Sequence, residues 1–265
     1  MNKMEERMIR CVVSDIDGTL LPAGQRELSA DVLRVAQTVC ESGRLLAAAS
    51  GRPYPVLRRL FSSLADSMAM IALNGTLVVY QGEVIYQRQL QRDLAMAMAQ
   101  DVLEAPECEL LISTSERCYI RPKQDSYRQR IIRQLAYPAT EFQALEEIQE
   151  EMLQISIFRG DGIEKSSEEW IRRWGGQAQV VVSGALWMDI TPQGTNKGSA
   201  LQALMQKKGL AAEEVLALGD SYNDIAMLET AGHSFAVAWA PEAVKVRAKG
   251  ITQDPVLTIR EVLAL

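Results

Sequence analysis

Residues 8–13 are apolar almost throughout, and the run stops at Ser14-Asp15-Ile16-Asp17-Gly18-Thr19. A short apolar run closed by turn residues marks a strand buried on both faces, as in parallel sheets covered by helices. The pattern recurs. Residues 45–49 end at Ser50-Gly51-Arg52-Pro53, 70–73 at Asn74-Gly75, and 215–218 at Gly219-Asp220. Between the first two runs, Ser29 precedes Val32, Val35, Ala36, Val39 and Cys40 at helical spacing, and Gly43 supplies the stop. Strands alternating with helices in this way predict an α/β fold around a Rossmann-like parallel sheet.

Ligands of open α/β sheets bind beyond the carboxyl ends of the strands. Asp15 and Asp17 stand at such an end, and two carboxylates so close repel unless a cation or a shared proton relieves them. A calcium loop is excluded, because the sixth and twelfth positions counted from Asp15 hold Leu20 and Arg26 instead of Gly and Glu. An isolated motif this short has a plain alternative, an acidic loop without chemistry. Its weight depends on partners elsewhere.

Several strand ends offer them. Ser50 and Gly51 present a hydroxyl and backbone N–H groups that suit either a turn or an anion. Lys197 opens a helix after Pro192-Gln193-Gly194-Thr195-Asn196. A cation there opposes the helix dipole, unless lysine and helix terminus address a phosphate together. The order Lys197-Gly198-Ser199 is not that of a nucleotide P-loop. Asp220 repeats the setting of Asp15, and Asn223 and Asp224 follow at the next helix start. His233, the single histidine, follows Ala231-Gly232 at a helix end and reads as a surface or capping residue, which argues against Ser-His-Asp chemistry.

The middle of the chain has another rhythm. Residues 76–80 and 83–86 flank Gln81-Gly82 as a hairpin. Helical segments at 90–103, 126–135, 144–152 and 163–174 then mix with short strands at 110–113, 118–120, 154–158 and 179–183. This predicts an inserted α+β domain at 82–186 within a core formed by 1–81 and 187–265. The core then resumes with strands at 187–191, 215–218 and 234–237 and closes with helices at 242–248 and 256–263.

A net charge of −6 in 265 residues disfavours broad binding to nucleic acid. Residues 1–10 lack an apolar signal core, and no apolar stretch is long enough to span a membrane. Cys11, Cys40, Cys108 and Cys118 show no C-x-x-C spacing and read as reduced thiols of a cytoplasmic protein. The strand ends together supply carboxylates for a hard divalent cation, a hydroxyl and an ammonium for an anion. No thiolate or imidazole cluster competes, which favours Mg²⁺ over zinc and points to phosphoryl transfer.

With these motifs in this order, the chain resembles the haloacid dehalogenase-like (HAD) phosphatases, in particular the Cof-type branch of subclass IIB. The resemblance rests on Asp15-Ile16-Asp17-Gly18-Thr19, Ser50, Lys197 and Gly219-Asp220-Ser221-Tyr222-Asn223-Asp224. It covers residues 8–80 and 187–265, with the inserted cap between the second and third motifs. It implies Mg²⁺-dependent hydrolysis of small phosphate monoesters, sugar phosphates or related metabolites. Asp15 would be the nucleophile that forms an aspartyl-phosphate, and Asp17 the general acid and base. Asp15, the backbone carbonyl of Asp17 and Asp220 would hold the metal. Ser50, Gly51, Lys197 and Asn223 would bind the phosphoryl group, supported by Gly18, Thr19 and Asp224. The partner expected is a small phosphorylated metabolite, without nucleic acid or membrane; oligomeric state is not legible.

Two departures from the branch's usual pattern stand out, Val237-Ala238-Trp239-Ala240 after a core strand and Gln253-Asp254-Pro255-Val256 near the C-terminus. Both concern the rim, where Trp239 would narrow the mouth or merely pack. Two rival readings are a phosphomutase of the same superfamily, which would not release inorganic phosphate, and a non-catalytic scaffold, which would not need Asp15, Asp17, Lys197 and Asp220 together. Arg117, Arg121, Lys123 and Arg128 of the insert could meet a second anion, although solvated surface charge is the commoner role.

Overall fold

The computed structural model describes residues 8–264; residues 1–7 and 265 lie outside the described residues. In chain order the strands are β1 (Cys11–Asp15), β2 (Leu45–Ala49), β3 (Ala69–Ala72), β4 (Leu77–Tyr80), β5 (Glu83–Gln87), β6 (Cys108–Ser113), β7 (Cys118–Ile120), β8 (Ala139–Glu141), β9 (Gln154–Arg159), β10 (Gln179–Gly184), β11 (Trp187–Thr191), β12 (Val215–Gly219), β13 (His233–Val237) and β14 (Gly250–Thr252). They form two sheets.

The first sheet has eight strands in the order β14-β13-β12-β1-β2-β3-β4-β5. All neighbours from β14 to β3 run parallel, and the β4–β5 hairpin closes one edge antiparallel. From β1 the chain builds outward through β2 and β3, then returns to lay β12, β13 and β14 on the other side. The order therefore reverses between β1 and β12. That crevice is where a doubly wound sheet binds its ligand, and Asp15 and Asp220 border it.

The apolar runs are strands because both sheet faces are covered. Val12, Leu46 and Leu216 pack into one core layer, and Val13, Ala47 and Ala217 into the opposite one. Each buried valine or leucine among them contributes about 1.5–3 kcal/mol of transfer free energy. The helix Ala30–Glu41 turns Val32, Val35, Ala36 and Val39 onto the first layer, and Ser29 accepts from the Val32 N–H as its N-cap.

The second sheet, β10-β11-β9-β6-β7-β8, is antiparallel except for β7 and β8. Apolar residues of the helices Arg92–Glu104 and Glu164–Trp174, among them Met98, Val102 and Trp170, pack with Leu110, Ile112, Ile155 and Ile157 of the sheet. Strand alternation then turns Leu111, Ser113 and Ser156 to the other face.

Two strands join a sheet other than the one expected. β5 was expected to open the insert, but it pairs with β4 in the first sheet. Gln81 and Gly82 both have positive φ (52° and 80°), the requirement of a tight hairpin that extends the existing sheet edge. β11 was expected in the core, yet it lies between β9 and β10 in the second sheet. The connections between sheets therefore fall after Gln87 and after Thr191.

Residues 144–152 do not form the expected helix; only Leu145–Glu147 makes a 3₁₀ turn. Leu145, Ile148 and Met152 are instead buried against the second sheet's helical layer, and packing overrides local propensity. β8 and β14, three residues each, were not anticipated because they carry no readable alternation. Among the described residues, no helix is long and apolar enough to cross a membrane.

Candidate active site

The loop after β1 is shaped by Gly18. Its φ of +94° is left-handed, and a Cβ there would lie 2.3 Å from Asp220 Oδ2. Only glycine lets the β1 and β12 loops approach so closely. Thr19 then donates to Asp220 Oδ1 at 3.3 Å. From the β13 side, the Trp239 indole N–H donates to the Gly18 carbonyl at 2.8 Å while its ring stays exposed. Trp239 thus clamps the loop that carries Asp17.

Lys197 is the first residue of the helix Lys197–Lys208, which Asn196 caps by accepting from the Ser199 N–H at 2.9 Å. Gly198 packs on Ala226, whose carbonyl oxygen would lie 2.5 Å from an added Cβ. This close packing buries Lys197 almost completely, with 1% of its surface exposed. Its Nζ donates to Asp15 Oδ1 at 2.5 Å and to Asp224 Oδ1 at 2.6 Å. Asp224 is itself buried, and its Oδ2 accepts from the N–H groups of Asp220 and Ser221 at 3.0 and 2.9 Å. Burial alone would lower the Lys197 pKa, but Asp15 and Asp224 outweigh it and hold the ammonium charged. The Asp15 carboxyl is pushed well above its ordinary value, first by burial and then by Asp224, with Lys197 opposing. Asp220 is raised as well, by burial and by Asp224.

That residual tension bears on a metal. Asp15, Asp220 and Asp224 offer carboxylate oxygens within 4.8 Å of one another. Both Asp224 oxygens are already engaged, whereas Asp15 Oδ2 is buried with no hydrogen-bond partner. The free donors are thus hard carboxylate oxygens of Asp15 and Asp220, and among the described residues no Cys or His joins the cluster. They fit a hard divalent cation.

Asp15, Asp17, Ser50, Gly51, Asp220 and Asn223 line one cavity of about 340 Å³ between the two sheets. Lys197 and Asp224 stand directly behind Asp15. The Ser50 hydroxyl lies 3.5 Å from Asp17 Oδ2 and accepts from the Arg52 N–H at 3.2 Å. The residues singled out from the sequence are therefore brought together. His233 is exposed at the start of β13, away from the cavity. None of Arg117, Arg121, Lys123 and Arg128 lines it.

Sequence reasoning missed two residues. Arg52 holds Asp17 by two hydrogen bonds, Nε to Oδ2 at 2.8 Å and Nη2 to Oδ1 at 2.5 Å. Asn74, read only as a turn, bridges the sheets: Nδ2 donates to Asp189 Oδ2 at 2.9 Å, and Oδ1 accepts from Asn223 Nδ2 at 3.1 Å. Leu73, Asn74 and Gly75 all have positive φ (51°, 54° and 98°), a strained turn that aims the amide across the cleft. Both follow strand ends of the same sheet, and that position was the available signal.

A model of the family described as haloacid dehalogenase-like hydrolase matches residues 12–255. The chain is 26% identical over 91% of its length to the 5-amino-6-(5-phospho-D-ribitylamino)uracil phosphatase YbjI of Escherichia coli, covering 89% of that protein. It is 27% identical over 90% of its length to the HMP-PP phosphatase of Serratia proteamaculans, covering 87% of it. Among solved structures, the HAD subclass IIB sugar phosphatase BT4131 superposes with a TM-score of 0.79 at 23% identity, covering 96% of this chain and 97% of that one.

Proposed function

The chain belongs to the haloacid dehalogenase-like hydrolase family, as a phosphatase of its Cof-type branch, and from that premise we propose that it hydrolyses small phosphate monoesters through an aspartyl-phosphate on Asp15. The observation that carries this reading is the buried Asp15–Lys197–Asp224 array, which fixes Asp15 Oδ1 and leaves Oδ2 unpaired beside the cavity. A carboxylate held by one oxygen and free at the other is a preorganised nucleophile.

In the first step the Asp15 carboxylate attacks phosphorus and the bond to the leaving oxygen breaks. Asp17, once one oxygen has exchanged its Arg52 hydrogen bond for a proton, donates that proton to the leaving oxygen and then accepts one from the water that cleaves the aspartyl-phosphate. Lys197, the Ser50 hydroxyl, the Gly51 N–H and the Asn223 amide supply donors for the phosphoryl oxygens. Thr19 and Gly18 keep Asp220 against the β1 loop, and Asp224 orients Lys197. Asp15, Asp220 and the Asp17 carbonyl would hold Mg²⁺, which when bound offsets the negative charge that the carboxylates and the phosphoryl group share.

The second sheet, between the crossings after Gln87 and Thr191, serves in this reading as the cap that covers the cavity. The substrate is a phosphorylated metabolite, as for the relatives named above. Incubating the protein with p-nitrophenyl phosphate and Mg²⁺, with phosphate release and the mass of the Asp15 peptide followed after acid quench, tests the proposal. Release with a transient 80 Da adduct on Asp15 is expected. Phosphate release without any adduct, undiminished in Asp15→Asn, contradicts it.

A further inference from the structure

Resting on the phosphatase reading, we propose that the group esterified to the phosphate is uncharged and rich in hydrogen-bond donors, and that Asp189 enforces this by rejecting a second anion. The cavity wall facing Asp15 comes from one face of the second sheet. Ser113 of β6 lies opposite Gln154 of β9, and Ser156 of β9 lies between Leu111 of β6 and Asp189 of β11. Two-residue alternation therefore points all five toward the cavity, which each of them lines. Of the side chains that this sheet and its connections contribute to the lining, only Asp189 is charged. No lysine, arginine or histidine from that side meets the cavity. Among the described residues, the one cation of the lining, Arg52 of the first sheet, is committed to Asp17 by two side-chain hydrogen bonds.

Asp189 is 7% exposed, and its oxygens are held by Ser156 Oγ at 2.6 Å and Asn74 Nδ2 at 2.9 Å. Ser156, Asn74 and Ser183 direct donors at it, the partners of a carboxylate. A carboxylate has about four acceptor positions, so the group can still accept from a hydroxyl or N–H and repels a carboxylate or phosphate. The buried hydroxyls of Ser113 and Ser156 and the Gln154 amide extend the polar strip. Leu111, Leu135 and Trp187 form the apolar part of the lining, and the Trp187 ring is braced 4.9 Å from that of Phe158. A strip of hydroxyls and amides beside a rigid apolar wall suits a polyhydroxylated carbon skeleton. A buried like charge in such a site discriminates strongly, because a second anion would find no counter-ion.

The test compares sorbitol 6-phosphate with 6-phosphogluconate, which differ only in a hydroxymethyl group against a carboxylate at the far end. The wild-type protein with Mg²⁺ should favour the first by at least fivefold in kcat/KM, with the difference mainly in KM. Asp189→Asn should reduce that ratio at least threefold. A smaller wild-type preference, or a ratio unchanged in folded Asp189→Asn, overturns the proposal; if that variant does not fold, the wild-type ratio decides alone. Turnover of p-nitrophenyl phosphate with the Asp15 adduct is read in parallel. Their presence with parity between the two sugar esters sinks only this inference, whereas their absence sinks the phosphatase reading beneath it.

Discussion

Arg52 grips Asp17 through a fork of two hydrogen bonds at 2.8 and 2.5 Å, so the plane of that carboxylate is set by its neighbour on the β2 loop. The Asp17 side chain is 49% exposed, which limits the pair to about 0–1 kcal/mol of stability. Its effect should therefore appear in catalysis. Arg52→Ala is expected to move Tm by no more than about 2–4 °C and to lower kcat/KM at least tenfold. Arg52→Lys should recover little, because an ammonium cannot reproduce the fork. Thermal melts and initial rates on the same preparations check this; wild-type kcat/KM in Arg52→Ala would mean Asp17 needs no such support.

Lys197 presents the opposite balance. It is 1% exposed between two buried carboxylates, and removing the partner of a buried charge costs about 3–5 kcal/mol. Lys197→Met should lose that much stability in urea titration, besides losing turnover. A loss below about 1 kcal/mol would show that Asp15 and Asp224 shed their charge at no cost once the ammonium is gone.

The parallel core was legible because its strands are buried on both faces and therefore read as uninterrupted apolar runs, as in β1, β2 and β12. The site followed from the same signal, since Asp15, Ser50 and Asp220 each close one of those runs. Failures cluster where tertiary contacts outrank local pattern. β11 carries the same apolar character as a core strand, and nothing in Trp187–Thr191 says which sheet it joins. Arg52 carries no assignment from the sequence, because its partner Asp17 lies 35 positions away. Asn74 was hidden for a similar reason, since its amide matters through Asp189 on a sheet whose approach no short-range pattern encodes.

The roles assigned to the two aspartates separate by leaving group. Asp15→Asn should abolish both turnover and the covalent adduct. Asp17→Asn should cost about 10²- to 10⁴-fold with a sugar phosphate, yet still form the adduct with p-nitrophenyl phosphate, whose phenolate leaves without a proton. Rapid-quench mass spectrometry on both variants checks this. Equal defects of Asp17→Asn with both esters would remove Asp17 from the acid role.

Metal binding has a readout that does not need turnover. With Asp15 Oδ2 unpaired and Asp220 close by, Mg²⁺ should bind the native state only, adding about 2.7 kcal/mol at a hundredfold excess over Kd. Tm should rise with Mg²⁺ and fall back with chelator, together with activity. Asp220→Asn should lose most of the rise. A wild-type Tm indifferent to Mg²⁺, with full turnover in excess chelator, would remove the metal from the scheme.

Asp189 gives a pH signature. Burial raises its pKa above the ordinary 3.8, while hydrogen bonds from Ser156, Ser183 and Asn74 pull the other way without cancelling the rise. A carboxyl raised in the native state binds its proton there before it does so in the unfolded chain. Its contribution to stability is thus fully present below 3.8 and is lost as pH climbs through the raised value. Asp189→Asn, which does not titrate, should lack that component. The stability of the wild-type protein relative to the variant should therefore grow as pH falls from neutrality and level off below the ordinary carboxylate value. Paired urea titrations across that range measure it. A difference that stays flat, or that shrinks on acidification, would mean that Asp189 is not raised, and that its three donors outweigh its burial.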